Sequence, residues 1–192
     1  MLHIITKKPW TLNGITKKMA QFHSDIHSKV VSDLPNQKEF LKVNILEAPL
    51  LSTGEKECTI NYLESLKEGN RLCHGDFHPD NIIIGSKDFT LDWMTGMMGN
   101  PVGDVARTTL LLKMGTMPEE TPKIMVYIVS QIRNQLLKKY LKHYKTISTI
   151  ESKEVEDWIL PVAAARLNEW IPEQEKQALV QLVRQRLVSK ST

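Results

Sequence analysis

The stretch LCHGDFHPDN, Leu72 to Asn81, places two histidines, two aspartates and one asparagine within ten residues. Three isoleucines follow directly, and the segment FTLDW adds a further aspartate, Asp92. Carboxylate and amide oxygens are hard ligands of the kind that Mg²⁺ prefers, together with water and substrate phosphates. Phosphoryl transfer needs such a metal site and a carboxylate that orients the attacking hydroxyl. These residue types therefore suit phosphoryl transfer, provided that the fold brings them together.

The sequence predicts a small β-hairpin as the element that brings them together. NIIIG is rich in β-branched residues, FTLDW is strand-like, and residues 85–88 form the turn between them. This turn predicts a register in which Ile84 faces Phe89 and Asn81 faces Asp92. Opposed residues of an antiparallel pair have Cβ atoms about 4.5–5.5 Å apart on one face of the sheet.

This register predicts that Asn81 and Asp92 are the protein ligands of a Mg²⁺ ion. Asp76 lies in the loop five residues before Asn81. From there its carboxylate is expected to accept the proton of a substrate hydroxyl that attacks a metal-held phosphoryl group.

Two other interpretations of the same residues remain open. HPDN is also a common composition for a polar turn, in which Asp and Asn bond to their own backbone. Alternatively, His74, Asp76, His78 and Asp92 could form the transition-metal site of a hydrolase, although Gly75 and Pro79 argue against a regular strand there.

A second histidine pair, His23 and His27, has a four-residue spacing that can bind zinc. The zinc motif has an acidic residue directly after its first histidine, where this chain has Ser24. These histidines are therefore expected to pack or to lie on the surface.

Helical periodicity dominates the rest of the chain, so the expected fold class is α+β, predominantly α-helical, with the hairpin at the active site. Ser52 or Thr53 should cap the third helix, with Glu55 in its first turn. The expected helices begin near Ile15, at Pro35 (through Phe40, Val43 and Leu46, ending before Pro49) and near Ser52, and then cover about 105–114, 120–142, 153–170 and 173–188.

The bulk composition indicates a globular protein with no large charge bias. The formal net charge is +3 and charged residues make up 24% of the chain, so we expect no nucleic-acid partner. The two cysteines, Cys58 and Cys73, fit a reduced compartment. No segment is apolar enough for a signal peptide or a membrane span, so we expect a cytoplasmic protein with no membrane partner.

At the residues described above the sequence resembles the aminoglycoside phosphotransferase and choline-kinase-like family, relatives of the protein kinases. HGDFHPDN resembles the catalytic loop H-G-D-x-x-x-x-N of that family, and LDW resembles its counterpart of the kinase D-F-G segment. GNPVGDVART resembles the G-D-P-x-x-D-x-A stretch, with Asn100 in place of the usual Asp. MAQFHSDIHS resembles the first helix of the C-terminal lobe.

The resemblance implies a role for each matching residue. Asp76 would be the catalytic base, and Asn81 and Asp92 would be the Mg²⁺ ligands. His74 would brace the loop, and Asp104 would hold its backbone through hydrogen bonds. The implied activity is an ATP-dependent O-phosphotransferase, a small-molecule kinase that transfers the γ-phosphoryl group to a substrate hydroxyl.

A kinase also needs a Gly-rich strand pair over the phosphates and a strand lysine, and the sequence contains neither pattern. We therefore expect residues 1–192 to form a single domain that is the protein-kinase-like C-terminal lobe, with the N-terminal ATP-grip lobe absent. No nucleotide-binding residue is assigned. A lobe that lacks its partner lobe would either associate with itself or need another chain to complete it. The alternative function is a non-catalytic kinase-like binding module.

The acceptor stays open among aminoglycosides, choline-like amines, and amino-acid or sugar alcohols. Acidic and aromatic residues of the late helices are candidates for the acceptor pocket, and none of them is assigned. They are Glu119, Glu120, Glu151, Glu154, Glu156, Asp157, Trp158, Glu169 and Trp170.

Overall fold

The computed structural model describes residues 11–85, 88–117 and 120–190. These residues form seven α-helices, four short β-strands and one turn of 3₁₀-helix. The elements in chain order are α1 (Leu12–His27), α2 (Gln37–Glu47), α3 (Thr53–Ser65), β1 (Arg71–Cys73), the 3₁₀ turn (Pro79–Asn81), β2 (Ile82–Ile83), β3 (Phe89–Thr90), β4 (Met97–Gly99), α4 (Pro101–Met114), α5 (Lys123–Ile147), α6 (Ser152–Arg166) and α7 (Glu173–Lys190).

Side-chain caps define where several helices begin. The predicted cap of α3 is confirmed, because the Ser52 hydroxyl accepts from the Glu55 N–H and the Glu55 carboxylate accepts from the Ser52 N–H. Asn100 caps α4 by accepting the Val102 N–H at 3.0 Å. The amide of Asn100 also donates to the Lys67 carbonyl, a bond that the usual Asp could not make.

Helix α6 lies at the centre of the core. It packs against α2, α3, α4 and α7, while α1 packs along α5 on the other side. From Trp158 to Arg166 every residue of α6 is buried, which fits its near-continuous apolar sequence. The mostly helical architecture with small sheets confirms the expected α+β class.

Two antiparallel ladders account for the strands among the described residues. In the first, Arg71 pairs with Gly99 and Cys73 pairs with Met97, so β1 and β4 bracket the loop that contains Asp76. Strand β4 had not been predicted. None of the described helices combines the length and apolarity that a membrane span requires.

The second ladder, β2 with β3, is the predicted hairpin, but its predicted register is wrong by one residue. Ile83 pairs with Phe89 and Ile82 pairs with Thr90, and the Leu91 N–H donates to the Asn81 carbonyl at 2.8 Å. Asn81 therefore lies opposite Leu91 and not opposite Asp92. Ser86 and Lys87 of the predicted turn lie outside the described residues.

Most predicted helices are present, with shifted ends. The first begins at Leu12, and the third ends at Ser65. In α2 the apolar residues Phe40, Val43 and Leu46 are exposed, whereas Leu41 and Ile45 are buried against the core.

Candidate functional site

The loop from His74 to His78 leaves strand β1 through a glycine that the backbone requires. Gly75 has φ +76°, a conformation that residues with a Cβ rarely adopt. A Cβ at this position would also collide with the Thr95 carbonyl. Asp76 follows, and its place at the surface of the loop depends on this turn.

Asp104, on the first turn of α4, holds the loop from behind. One carboxylate oxygen, Oδ2, accepts the His74 N–H at 2.6 Å, and the other, Oδ1, accepts the Gly75 N–H at 2.9 Å. This confirms the expected role of Asp104 as the residue that fixes the loop backbone. The side chain is fully buried, so its negative charge is stabilised by such hydrogen bonds rather than by water.

His23 and His27 complete the shell of Asp104. Their Nε2 atoms lie 3.0 and 3.1 Å from Asp104 Oδ2, and their Nδ1 atoms lie 2.6 Å from the hydroxyls of Tyr140 and Tyr144. Because the carboxylate can only accept, each Nε2 carries the proton and each tyrosine donates to Nδ1. The acidic partner that the sequence did not reveal near this pair is therefore Asp104, 77 and 81 residues away along the chain.

The electrostatics of this cluster favour an ionised Asp104 beside a neutral His23. Burial is the largest effect on His23 and, with the neighbouring His27, lowers the pKa of His23 to about 3. Burial alone would raise the pKa of Asp104, but the hydrogen bonds and charge interactions with His23 and His27 outweigh it, so this pKa lies well below the usual range.

Within the described ranges, His23, His27 and Asp104 also form the one group of three residues arranged to hold a metal ion. All of their ring nitrogens and carboxylate oxygens already have hydrogen-bond partners. A metal would have to displace protons that stabilise Asp104, so the cluster is complete as a structural network.

Helix α4 holds the loop at two further points. Arg107 Nε donates to the Gly75 carbonyl at 3.1 Å, and the Thr108 hydroxyl donates to the Phe77 carbonyl at 2.8 Å. Positions 104, 107 and 108 share one helical face. The loop backbone is thus held by side chains along its length, which is the rigidity that a positioned catalytic group requires.

Asp76 projects from this rigid loop and is 27% exposed. Its Oδ2 accepts from Asn81 Nδ2 at 3.1 Å and lies 3.3 Å from His78 Nε2, and its Oδ1 lies 3.9 Å from Arg107. Burial, the largest single effect, raises the pKa of Asp76, but His78, Arg107 and Asn81 together lower it below the usual value. Asp76 is therefore ionised at neutral pH.

Asn81 is oriented by the same loop. Its Nδ2 donates to both the Asp76 carbonyl, at 2.9 Å, and the Asp76 carboxylate. Asn81 Oδ1 makes no hydrogen bond within the described part of the chain, so it is available as a ligand. The structure thus brings Asp76 and Asn81 into contact. The pair that the sequence predicted to lie side by side was Asn81 and Asp92.

Asp92 is the third predicted site residue. It follows strand β3 with φ +57°, so it leaves the extended conformation and the alternation of a regular strand no longer applies to it. It is exposed, and its carboxylate has no hydrogen bond or ion pair to the residues that the structure describes. Asp92 lies next in sequence to Leu91, the partner of Asn81, and is not bonded to either Asp76 or Asn81.

The donor set of Asn81 and Asp92 fits a magnesium ion. Both offer hard oxygens that make no hydrogen bond or ion pair to the described residues. Mg²⁺ takes few protein ligands and keeps several waters or phosphates, which this donor set allows.

The hydrolase interpretation loses one of its four predicted ligands. His74 Nδ1 accepts the Asp76 N–H and His74 Nε2 lies 2.9 Å from the Leu91 carbonyl, so neither ring nitrogen is free for a metal. His74 braces the loop against the hairpin, as the resemblance implied. Trp93 packs beside it, with ring centroids 4.5 Å apart.

A cavity of about 310 Å³ opens beside Asp76. On its wall, Arg107 makes two bonds to Glu169, which also accepts from Arg166 at 2.6 Å. The sequence did not identify Arg107, and it left Glu169 as one acid among many. For Arg107 a signal existed, since it lies one helical turn after Asp104. For the place of Glu169 at the cavity none existed, because its partner there, Arg107, is 62 residues away.

Comparison with known proteins adds one finding. No curated protein and no solved structure matches this sequence. A family model described as a phosphotransferase enzyme family matches residues 16–131, which is more than half of the chain and includes the loop, the hairpin and α4. The chain therefore belongs to the phosphotransferase enzyme family.

Proposed function

We propose that this protein transfers the γ-phosphoryl group of ATP to a hydroxyl of a small molecule, with Asp76 as the catalytic base. The observation that carries the proposal is the setting of Asp76. Its carboxylate lies at the wall of an open cavity, on a backbone clamped by Asp104, and in contact with Asn81. Because its backbone and side chain are held in this way, the Asp76 carboxylate has a fixed orientation towards an acceptor hydroxyl in the cavity.

The lowered pKa of Asp76 defines how it acts. An ionised carboxylate accepts a hydrogen bond from the acceptor hydroxyl and aims its oxygen at the phosphorus. Because so weak a base takes the proton late, most of its effect is orientation. His78 and Asn81 hold Oδ2, which leaves Oδ1 for the hydroxyl.

Asn81 and Asp92 are the residues that would hold Mg²⁺. When bound, the ion supplies positive charge that offsets the charge developing on the phosphate oxygens. The chain itself orients Asn81 through two hydrogen bonds to Asp76. The same pair of bonds therefore positions the catalytic base relative to the metal ligand.

Substitution of Asp76 tests the catalytic assignment. We expect Asp76→Asn to lower ATP-dependent phosphate transfer by about 10²–10⁴-fold, the usual contribution of a positioned acid or base. Asp33→Asn, the same change at an exposed site away from the cavity, is the matched control. Equal turnover in both variants across an acceptor panel would contradict the role of Asp76.

Metal binding is measured separately, so that it does not depend on turnover. Mn²⁺, as a paramagnetic substitute for Mg²⁺, should broaden the NMR signals of Asn81 and its neighbours in the full chain. Asp92→Ala should abolish the effect and Asp33→Ala should not. Binding of metal and ATP without transfer to any acceptor would favour the non-catalytic binding module.

A further inference from the structure

The cavity beside Asp76 is small and largely apolar. Its volume of about 310 Å³ lies at the lower end of the range of ~300–1,000 Å³ for small-molecule sites. Phe40, Leu41, Met97 and Val162 are among the residues that form its walls. A space of this size accommodates one ring or a short chain, and is too small for a molecule of three linked sugars.

The charges on the cavity wall are already compensated, apart from Asp76. Glu169 is paired with Arg107 through two bonds and with Arg166 through a third. Asp104 also reaches the wall, but four hydrogen bonds saturate it. A ligand with several ammonium groups would find no spare carboxylate in the wall beyond Asp76, and the desolvation of its other charges would go uncompensated. The cavity therefore suits a neutral ligand.

One polar side chain in the wall, Gln37, keeps a donor that no described residue accepts. Because none of the fully buried side-chain N or O atoms among the described residues lacks a partner, this donor is accessible from outside the protein core. Gln37 is 5% exposed, and its Oε1 accepts the Asn100 N–H at 2.9 Å, which fixes the identity of the two amide atoms. Its Nε2 donates to no residue in the described part of the chain. The amide is held in place because it lies against Gly99 and Gly103, where an added Cβ would come within 2.5 and 2.8 Å of it.

We infer that this cavity binds a neutral acceptor alcohol of about one ring in size, which carries a second oxygen that accepts from Gln37 Nε2. The inference rests on the proposed function for the identity of the reacting hydroxyl at Asp76. Gln37 is then a specificity-determining residue. Its Nε2 donates to an alcohol that has an oxygen at that end of the cavity. A bound alcohol without such an oxygen covers the donor and leaves it unpaired.

The test uses two probes that differ by one hydroxyl, styrene glycol and phenethyl alcohol, with NMR titration of the isotope-labelled full chain. We expect the glycol to bind about two- to tenfold more tightly, the usual range for one net hydrogen bond. It should also shift the Gln37 side-chain amide signal of the unsubstituted protein, a result that needs no variant.

The matched variant is Gln37→Glu, which keeps the oxygen that accepts from Asn100 and replaces the donor by an acceptor. Because a hydroxyl of the glycol can also donate to this carboxylate, the variant is titrated with 2-hydroxyacetophenone, whose second oxygen can only accept. The preference for this ketone over phenethyl alcohol, expected in the unsubstituted protein, should disappear in the variant, while phenethyl alcohol binds as before. Equal weakening of both probes would mean that Gln37 is merely structural, and would overturn the inference.

Kanamycin, a polycation of several rings, tests the limits of size and charge. Its binding in this cavity more tightly than the glycol would refute the inference, as would a glycol titration without any shift at Gln37. None of these measurements uses nucleotide or metal. A failed phosphate-transfer experiment therefore contradicts the proposed function and leaves this result standing, and the reverse also holds.

Discussion

Two aspartates of the same site have opposite surroundings. Asp104 is fully buried and accepts four hydrogen bonds from the loop backbone and two histidines. Asp92 is exposed and has no partner among the described residues. A carboxylate that accepts hydrogen bonds only from within the protein stabilises the fold, whereas one without such hydrogen bonds is available to a ligand. The first should therefore govern stability and the second should govern binding.

The largest expected effect is the loss of Asp104. Asp104→Ala leaves the His74 and Gly75 N–H groups and two ring nitrogens without their acceptor. We expect it to lower the free energy of unfolding by at least about 3 kcal/mol, because an unsatisfied buried donor costs about 1–3 kcal/mol and four donors lose their acceptor. Urea denaturation followed by circular dichroism measures this change. A loss below about 1 kcal/mol would remove the distinction between the two aspartates.

The pH dependence of stability tests the same cluster. The pKa of His23 is depressed to about 3 in the folded protein, against an ordinary value of 6.5. The unfolded chain therefore binds a proton there first, and stability is lost as pH falls from 6.5 towards 3, by about 1 kcal/mol per unit. Below the ordinary pKa of Asp104 a second loss begins, because that pKa is also lowered.

The comparison for this experiment is His23→Gln, which keeps a donor near Asp104 and cannot titrate. Its free energy of unfolding, from urea melts between pH 6.5 and 4, should depend less steeply on pH than that of the unsubstituted protein. If the unfolding free energies of both proteins depended equally on pH, His23 would have to be protonated in the folded protein, which would contradict its lowered pKa.

A smaller effect is expected at the second clamp on the loop. Thr108→Val removes the donor to the Phe77 carbonyl and leaves that buried acceptor unsatisfied, at an expected loss of about 1–3 kcal/mol in unfolding free energy. Thr109→Val is the matched control, since its hydroxyl bonds only to Val105 within the same helix. Thermal or urea unfolding of the pair measures the difference. Equal losses in the two variants would mean that the hydrogen bond from Thr108 to the loop stabilises the fold no more than a bond within the helix does.

The smallest expected effect on stability is at Asp92. Asp92→Ala should change the free energy of unfolding by no more than about 0.5 kcal/mol, because an exposed side chain without partners is lost. The same variant should lose metal binding, as measured by Mn²⁺ broadening. Destabilisation comparable to that of Asp104→Ala would show that Asp92 also holds structure.

Local patterns predicted a good part of this molecule. The cap at Ser52, most of the helices and the existence of the hairpin follow from residue types at short spacing, and the structure confirms them. The contact between Asp76 and Asn81 was also within reach, because both residues lie in one short loop. Interactions of this kind close within a few residues and need little help from the rest of the chain.

The predictions that failed needed information from elsewhere in the chain. Five residues lie between Ile83 and Phe89, where a turn of four had been assumed, and a slip of one residue changes which side chains face each other. The buried face of α2 was ambiguous, because apolar residues occur on both faces and only packing against α6 selects Leu41 and Ile45.

The sequence by itself determined the chemistry available: which residues can act as base and ligand, and the loop that carries them. Only the tertiary structure decided what these residues can do, because it chose their partners. It buried Asp104 under His23 and His27, paired Glu169 with Arg107, and left Gln37 Nε2 without an acceptor among the described residues. The physical reason is that a carboxylate or an amide has no fixed role until its surroundings either satisfy it or leave it open.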